Sequence, residues 1–247
     1  MKITKYENAI FGFHPIMEAI KAGKEIDTLF IQKGLKGDLF QELWILVKSH
    51  KVVYKHVPVE KLNRLTGKNH QGVFAFVSPI NFGNTANVIP QIYEEGKTPL
   101  ILVLDRITDV RNFGAIVRTA ECSGVNAIIV PEKGSAAING DAIKTSSGAL
   151  HNIPICREFN LRATIEFLKN SGLQIIGCTE KADDLIYTPD YTLPTAIILG
   201  SEEDGISEEY LQICTNRTKI PMTGTIGSLN VSVSSGVILY EAVRQRQ

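Results

Sequence analysis

From residue 99 onward the chain is punctuated by short apolar runs that leave little room for a polar face. PLILVLDRI (99–107), NAIIVP (126–131), NIPICR (152–157), LQIIGCTE (173–180), TAIILG (195–200) and TKIPM (218–222) are each nearly continuous, and a helix-like or loop segment separates each from the next. A strand with one face in water alternates apolar and polar residues. A strand that is apolar throughout needs cover on both faces, as in a parallel sheet packed between helices. The expected architecture of residues 98–247 is therefore α/β, with a buried parallel sheet. The last segment, NVSVSSGVILYEAVRQRQ (230–247), puts Val233, Val237 and Tyr240 on one helical face, and its small residues Ser234, Ser235 and Gly236 permit close packing.

Residues 1–80 read differently, as a smaller α/β unit with short turns. Ile16, Ala19 and Ile20 in GFHPIMEAIKAG (12–23) fall at helical spacing, and Gly23 is a stop signal. TLFIQ (28–32), KVVYKHV (51–57) and GVFAFV (72–77) read as strands, and LFQELWILVKSH (39–50) and VEKLNRLTG (59–67) as helices. The stretch 78–97 is rich in Asn, Gly and Pro without sustained periodicity, so residues 81–97 are expected to be a linker.

The formal net charge of zero hides an asymmetry between these parts. Residues 1–80 hold eleven Lys and one Arg against seven acidic residues, a net of +5, which leaves −5 for the remainder. A basic front joined to an acidic rear suggests that one part attracts a polyanion while the other does something else. No apolar run approaches the ~20 residues that span a bilayer. The opening MKITKYENAI lacks the basic-then-apolar pattern of a leader, so a cytoplasmic protein is expected. Cys122, Cys156, Cys178 and Cys214 are scattered, with no Cys-x-x-Cys pair, so neither a metal site nor a disulfide framework is expected.

An α/β domain of this kind invites a nucleotide cofactor, yet the first strand is followed by TDVRNFGAIVRTAECSG, with a single Gly114 in the turn. A dinucleotide-binding oxidoreductase would carry G-x-G-x-x-G there, and that reading fails. Three other segments stand out. In DRITDVRNFGAIVRTAECSG (105–124), Asn112 sits where a helix cap is expected, and Gly114 and Ala115 open the helix that carries Arg118. In IILGSEEDGIS (197–207), a buried strand ends at Gly200, followed by Glu202 and Gly205 in a tight turn. In KIPMTGTIGSLNVSVSSGVILYEA (219–242), a strand ending at Pro221 gives way to a glycine-rich loop, and Ser228-Leu229-Asn230 leads into a helix. Taken singly, each is equally well a capped helix or an acidic loop.

In this order, the three segments resemble the motifs of the SpoU/TrmH branch of the SPOUT methyltransferases: N-x-G-A-I-x-R-T, L-G-x-E-x-x-G and I-P-M-x-G-x-x-x-S-L-N-V-S-V. The resemblance covers residues 98–247. GFHPIMEAI (12–20) and HQGV (70–73) are similar to the substrate-binding domain that precedes some members. The resemblance implies a C-terminal trefoil knot, an L30e-like RNA-binding front domain, S-adenosyl-L-methionine as cofactor and a homodimer formed through the catalytic domain. It also implies methylation of a ribose 2′-hydroxyl in RNA. A guanosine of 23S ribosomal RNA is preferred because of the front domain; the alternatives are tRNA, or an RNA-binding assembly protein without activity.

Carried over residue by residue, the cofactor contacts fall on Thr179, Gly200, Ile220, Met222 and Leu229. The catalytic set falls on Asn112, Arg118, Glu202, Ser228 and Asn230. Glycines let backbone approach a ligand, and apolar residues can wall an adenine. Arg118 is read as a phosphate grip rather than a base, because a guanidinium with pKa above ~12 is a poor proton acceptor. The family usually has Gly after the motif-two Glu, whereas this chain has Glu203, so Glu202 and Glu203 compete for the role and position favours Glu202.

Overall fold

The computed structural model describes residues 8–247; the first seven, where no leader is expected, lie outside the described residues. The chain divides near residue 81 into two compact units.

The front unit runs β1 (Ala9–Phe11), α1 (Phe13–Lys21), β2 (Ile26–Gln32), α2 (Asp38–Ser49), β3 (Tyr54–Val57), α3 (Val59–Leu65) and β4 (Val73–Val77). Its sheet has the order β1-β4-β2-β3, antiparallel except for the parallel pair β2/β3. The pleat sorts the side chains. Leu29, Ile31, Val73 and Ala75 join Ile16, Ile20, Leu43 and Val47 in one buried cluster, while their neighbours Phe30 and Phe74 join Val57 and Leu62 in another. The expected strand at 51–57 is shorter, because Lys51 (φ +51°) turns the chain out of α2.

The second unit runs α4 (Thr85–Glu94), β5 (Leu100–Leu104), α5 (Val110–Cys122), β6 (Ala127–Pro131), α6 (Gly140–Thr145), a 3-10 turn (Ala149–His151), β7 (Ile155–Glu158) and α7 (Leu161–Asn170). It continues with β8 (Gln174–Cys178), β9 (Asp184–Leu185), β10 (Thr195–Leu199), α8 (Glu208–Leu211), β11 (Asn216–Lys219) and α9 (Val231–Arg246). The sheet order is β7-β6-β5-β10-β8-β11-β9, and every pairing is parallel. All five residues of β5 and of β10 are buried. Ile101, Val103, Ile129 and Ile198 pack with the apolar sides of α4, α7 and α8. Leu100, Leu102, Leu104, Ile128 and Ile197 point the other way and are equally buried, so both faces are covered.

Two expectations are corrected. Residues 85–94, within the expected linker, form α4. Asn84 caps it by accepting from the Ala86 amide, and Ile89 and Ile92 are buried in the core of the second unit. One helical turn of apolar residues interrupted by Pro90 is too little periodicity to read locally. The strand expected to reach Pro221 ends at Lys219. Proline has no N–H for a ladder, and Ile220-Pro221-Met222 leaves the sheet as a loop.

Candidate active site

The first turn of α5 sets the geometry. Its cap is Asp109, whose Oδ1 accepts the Asn112 backbone N–H at 2.8 Å, and not Asn112, where the cap was expected. Asn112 therefore lies inside the first turn with its side chain released for other work. Its Nδ2 donates to Glu202 Oε1 at 2.9 Å, and its Oδ1 accepts from Asn230 Nδ2 at 3.1 Å. The same Asn230 Nδ2 donates to Glu202 Oε1 at 2.6 Å. Asn230 Oδ1 accepts the backbone and hydroxyl groups of Ser232 at 3.0 and 2.6 Å and caps α9. Both Asn230 amide protons and its oxygen are thus committed, which fixes the side chain's orientation.

Glu202 is the residue the two asparagines bond; Glu203 makes no such bond. Among the described residues Glu202 Oε2 has no hydrogen-bond partner, so one carboxylate oxygen is anchored and the other stays available as an acceptor.

Beside this cluster is a cavity of about 750 Å³. Thr179, Gly200, Ile220, Met222 and Leu229, the five expected cofactor contacts, all line it, together with Glu202, Ser228 and Asn230. The loop backbone at its wall is unusually close. A Cβ on Gly200 would lie 2.0 Å from the Gly205 carbonyl carbon, so no side chain fits at that position. Met222 and Leu229 leave apolar surface exposed at the cavity, and Glu180, Glu202, Glu203 and Asp204 outnumber Lys181 in its lining. Apolar walls, close main chain and a negative balance fit a ligand with an aromatic base and positive charge. Cys178 also lines the cavity, but burial, with Glu180 nearby, pushes its thiol up to about 12. It is a neutral thiol and not a nucleophile.

Arg118 is not brought into the cluster. Six residues beyond Asn112, it stands about 9 Å further along α5 and about 120° around its axis, exposed and without an ion pair among the described residues. Three residues of the site neighbourhood have no counterpart in the expected set: Asp109, and the pair Asp105 and Arg106, which bond the 204–207 segment. The Asp109-x-x-Asn112 spacing before an amphipathic run is a capping signal that could have exposed the first. The other two bond residues about a hundred positions away, and no local pattern announces that.

The model of the SpoU rRNA Methylase family matches residues 99–240, and that for RNA 2′-O ribose methyltransferase substrate binding matches residues 9–83. A putative TrmH family tRNA/rRNA methyltransferase of Staphylococcus saprophyticus is 36% identical over 97% of this chain and 96% of its own length. Its counterpart in Staphylococcus aureus strain COL is 34% identical over 97% of both chains. The fold is similar to that of the SpoU methyltransferase AviRb from Streptomyces viridochromogenes, crystallised with AdoMet (TM-score 0.62, 24% identity, 96% of this chain and 90% of that one). The A. aeolicus TrmH/SpoU tRNA modifying enzyme is 33% identical, with a TM-score of 0.56 over 66% of this chain and 84% of its own.

Proposed function

Because this chain belongs to the SpoU rRNA Methylase family and is an RNA ribose 2′-O-methyltransferase, we propose that it methylates a guanosine 2′-hydroxyl of 23S ribosomal RNA with S-adenosyl-L-methionine in the 750 Å³ cavity. The observation that carries this reading is the Asn112–Glu202–Asn230 cluster beside that cavity. When bound, the cofactor supplies an activated methyl group on a cationic sulfonium. Thr179, Gly200, Ile220, Met222 and Leu229 hold it, and the acidic lining offsets its charge.

The chain's own residues then have to orient a ribose oxygen and ease the loss of its proton. Asn112 and Asn230 anchor Glu202 through one oxygen, and the free Oε2 accepts the acceptor hydroxyl. Ser228, in the cavity lining and without a hydrogen bond among the described residues, can donate to the ribose or accept from it. Arg118 grips a phosphate of the RNA; its displacement along α5 from Asn112 suits that role better than proton transfer. The front unit, which we take as the L30e-like RNA-binding domain, supplies recognition. Trp44, Tyr54 and His56 cluster with ring centroids 5.0 and 5.6 Å apart, and Lys48 Nζ lies 4.5 Å from the Trp44 centroid. Aromatic rings beside lysines suit unstacked bases and phosphates.

Two structural readings accompany this one. The 220–230 segment is taken as part of a trefoil knot, a reading supported by β11 lying between β8 and β9 and by the backbone approach at Gly200. The exposed apolar residues Val233, Val237 and Tyr240 of α9 support a homodimer formed through the catalytic domain.

The test is methyl transfer to purified ribosomal and transfer RNA with labelled cofactor, followed by mapping of the modified nucleotide. Ribose label at a 23S guanosine is expected. Label on tRNA alone would overturn the ribosomal assignment, and label on neither RNA would overturn both substrate readings.

A further inference from the structure

The second residue after β5 is held in a backbone conformation that residues with a side chain rarely adopt. Arg106 sits at φ +58°, between the buried Asp105 and Ile107. Such strain persists only where the surroundings determine it, and here they do. Arg106 Nε and Nη2 donate to the Asp105 carboxylate at 3.1 and 3.3 Å, Nη1 donates to Asp204 Oδ2 at 2.9 Å, and Nη2 also donates to the Gly205 carbonyl at 3.1 Å. Asp105, 1% exposed, accepts in addition the backbone N–H and the hydroxyl of Ser207, both at 2.7 Å.

All of these bonds converge on one small hairpin. Ser201 and Gly205 exchange backbone hydrogen bonds at 3.1 and 3.0 Å, the Asp204 N–H donates to Ser201 Oγ at 3.1 Å, and Glu202 rides on the turn between them. The two asparagines grip Glu202 at its carboxylate; Asp105 and Arg106 grip the same hairpin at its base. The charges also sort. Arg106 is matched to Asp105 and Asp204, while Glu202 and Glu203 face the cavity with no cation bonded to them among the described residues.

We infer that Asp105 and Arg106 form a latch that holds the 201–207 hairpin in its cofactor-binding pose, so that Arg106 is a positioning residue for both the cavity and Glu202. This rests on the cavity being the S-adenosylmethionine site. Lysine could keep the charge but could not reach Asp105, Asp204 and the Gly205 carbonyl together, since the latch uses the fork of the guanidinium.

The test is R106G beside R106K, in the full chain. Glycine adopts φ +58° freely, so if Arg106 matters only as a turn residue, R106G is neutral or stabilising. The latch predicts the opposite. In protein without cofactor, amide exchange at Asp204, Gly205 and Ser207 should speed up by about tenfold or more, and S-adenosylmethionine should bind about tenfold more weakly by calorimetry. R106K should fall between wild type and R106G. R106G that exchanges and binds as wild type does would overturn the inference. So would faster exchange with unchanged affinity, because the latch would then not serve the site. Wild-type protein that failed to take the cofactor would break the reading of the cavity and this inference with it; affinity retained in R106G breaks the inference alone.

Discussion

The front unit sets lysines beside aromatic rings in solvent, whereas the site of the second unit ties its charges down with hydrogen bonds. Lys48, Lys61 and Lys68 lie 4.5, 5.0 and 5.8 Å from the rings of Trp44, Phe30 and Phe11 and none is held by a carboxylate among the described residues. Asp105, by contrast, is 1% exposed and accepts from Arg106 and Ser207, and Glu202 is anchored by two amides. Solvated charge acts at a distance, is screened by salt and can be moved without changing the fold. Buried or hydrogen-bonded charge acts through position, and removing it leaves its partners unsatisfied. The two units are thus expected to answer substitution in different currencies: affinity for RNA in one, geometry of the site in the other.

The sharpest separation should come from Glu202→Gln. The side chain keeps its shape, but one anchored oxygen or the free acceptor is replaced by a donor, and the rate should fall about 100- to 1000-fold, the scale of losing one oriented polar group at a reacting centre. A single-turnover methylation assay with RNA at saturation checks it; a rate within threefold of wild type would remove Glu202 from the chemistry. The front-unit counterpart is K48A/K61A/K68A. Its RNA affinity should drop, and the slope of log K against log salt should flatten by up to about 2, at about 0.7 per single-strand phosphate contact. Calorimetric affinity for the cofactor should not move. An unaltered salt slope would show that these lysines do not meet phosphate.

Two smaller effects begin in stability. Burial pushes the Cys156 thiol up to about 11, from an ordinary value of 9.0. The folded state therefore favours the neutral thiol, and this contribution is complete below pH 9 and is lost as pH rises from there towards 11. Stability should fall above pH 9 by about 1.4 kcal/mol per pH unit for this group. Urea midpoints at pH 8 and pH 10 for wild type and C156A measure the difference; an equal alkaline loss in both would assign the effect elsewhere. Asp109→Ala should cost about 1 kcal/mol through loss of the α5 cap and also slow methylation, because Asn112 departs from the cap-held turn. A stability loss with full activity would mean that Asn112 does not depend on its cap.

The legibility of the chain followed the range of the interactions. The six apolar runs predict a doubly covered parallel sheet, and β5, β6, β8 and β10 fall within them, because burial on both faces writes itself into the residues of a central strand; β7 and β11, which are part-exposed, only overlap theirs. The residues that the family resemblance carries over as cofactor contacts line one cavity, and its glycine and apolar loop positions match what the proposed cofactor requires. The helix at 85–94 was not legible, because its stability comes from Ile89 and Ile92 meeting distant side chains of the sheet rather than from its own pattern.

At the site, the ordered motifs of the family resemblance pointed to Asn112, Glu202 and Asn230 as members of one set, but not to what they do to one another. That needed the fold, since the bonds joining them span 90, 118 and 28 residues. The exchange of cap between Asn112 and Asp109 has the same origin: both side chains can cap, and the carboxylate 90 residues away drew the asparagine into the cluster while the aspartate took the amide. Periodicity and composition are properties of neighbours along the chain and can be read there. Hydrogen-bond partners, shared charges and a strained Arg106 exist only once packing has brought the segments together, and those are what give this cavity its shape.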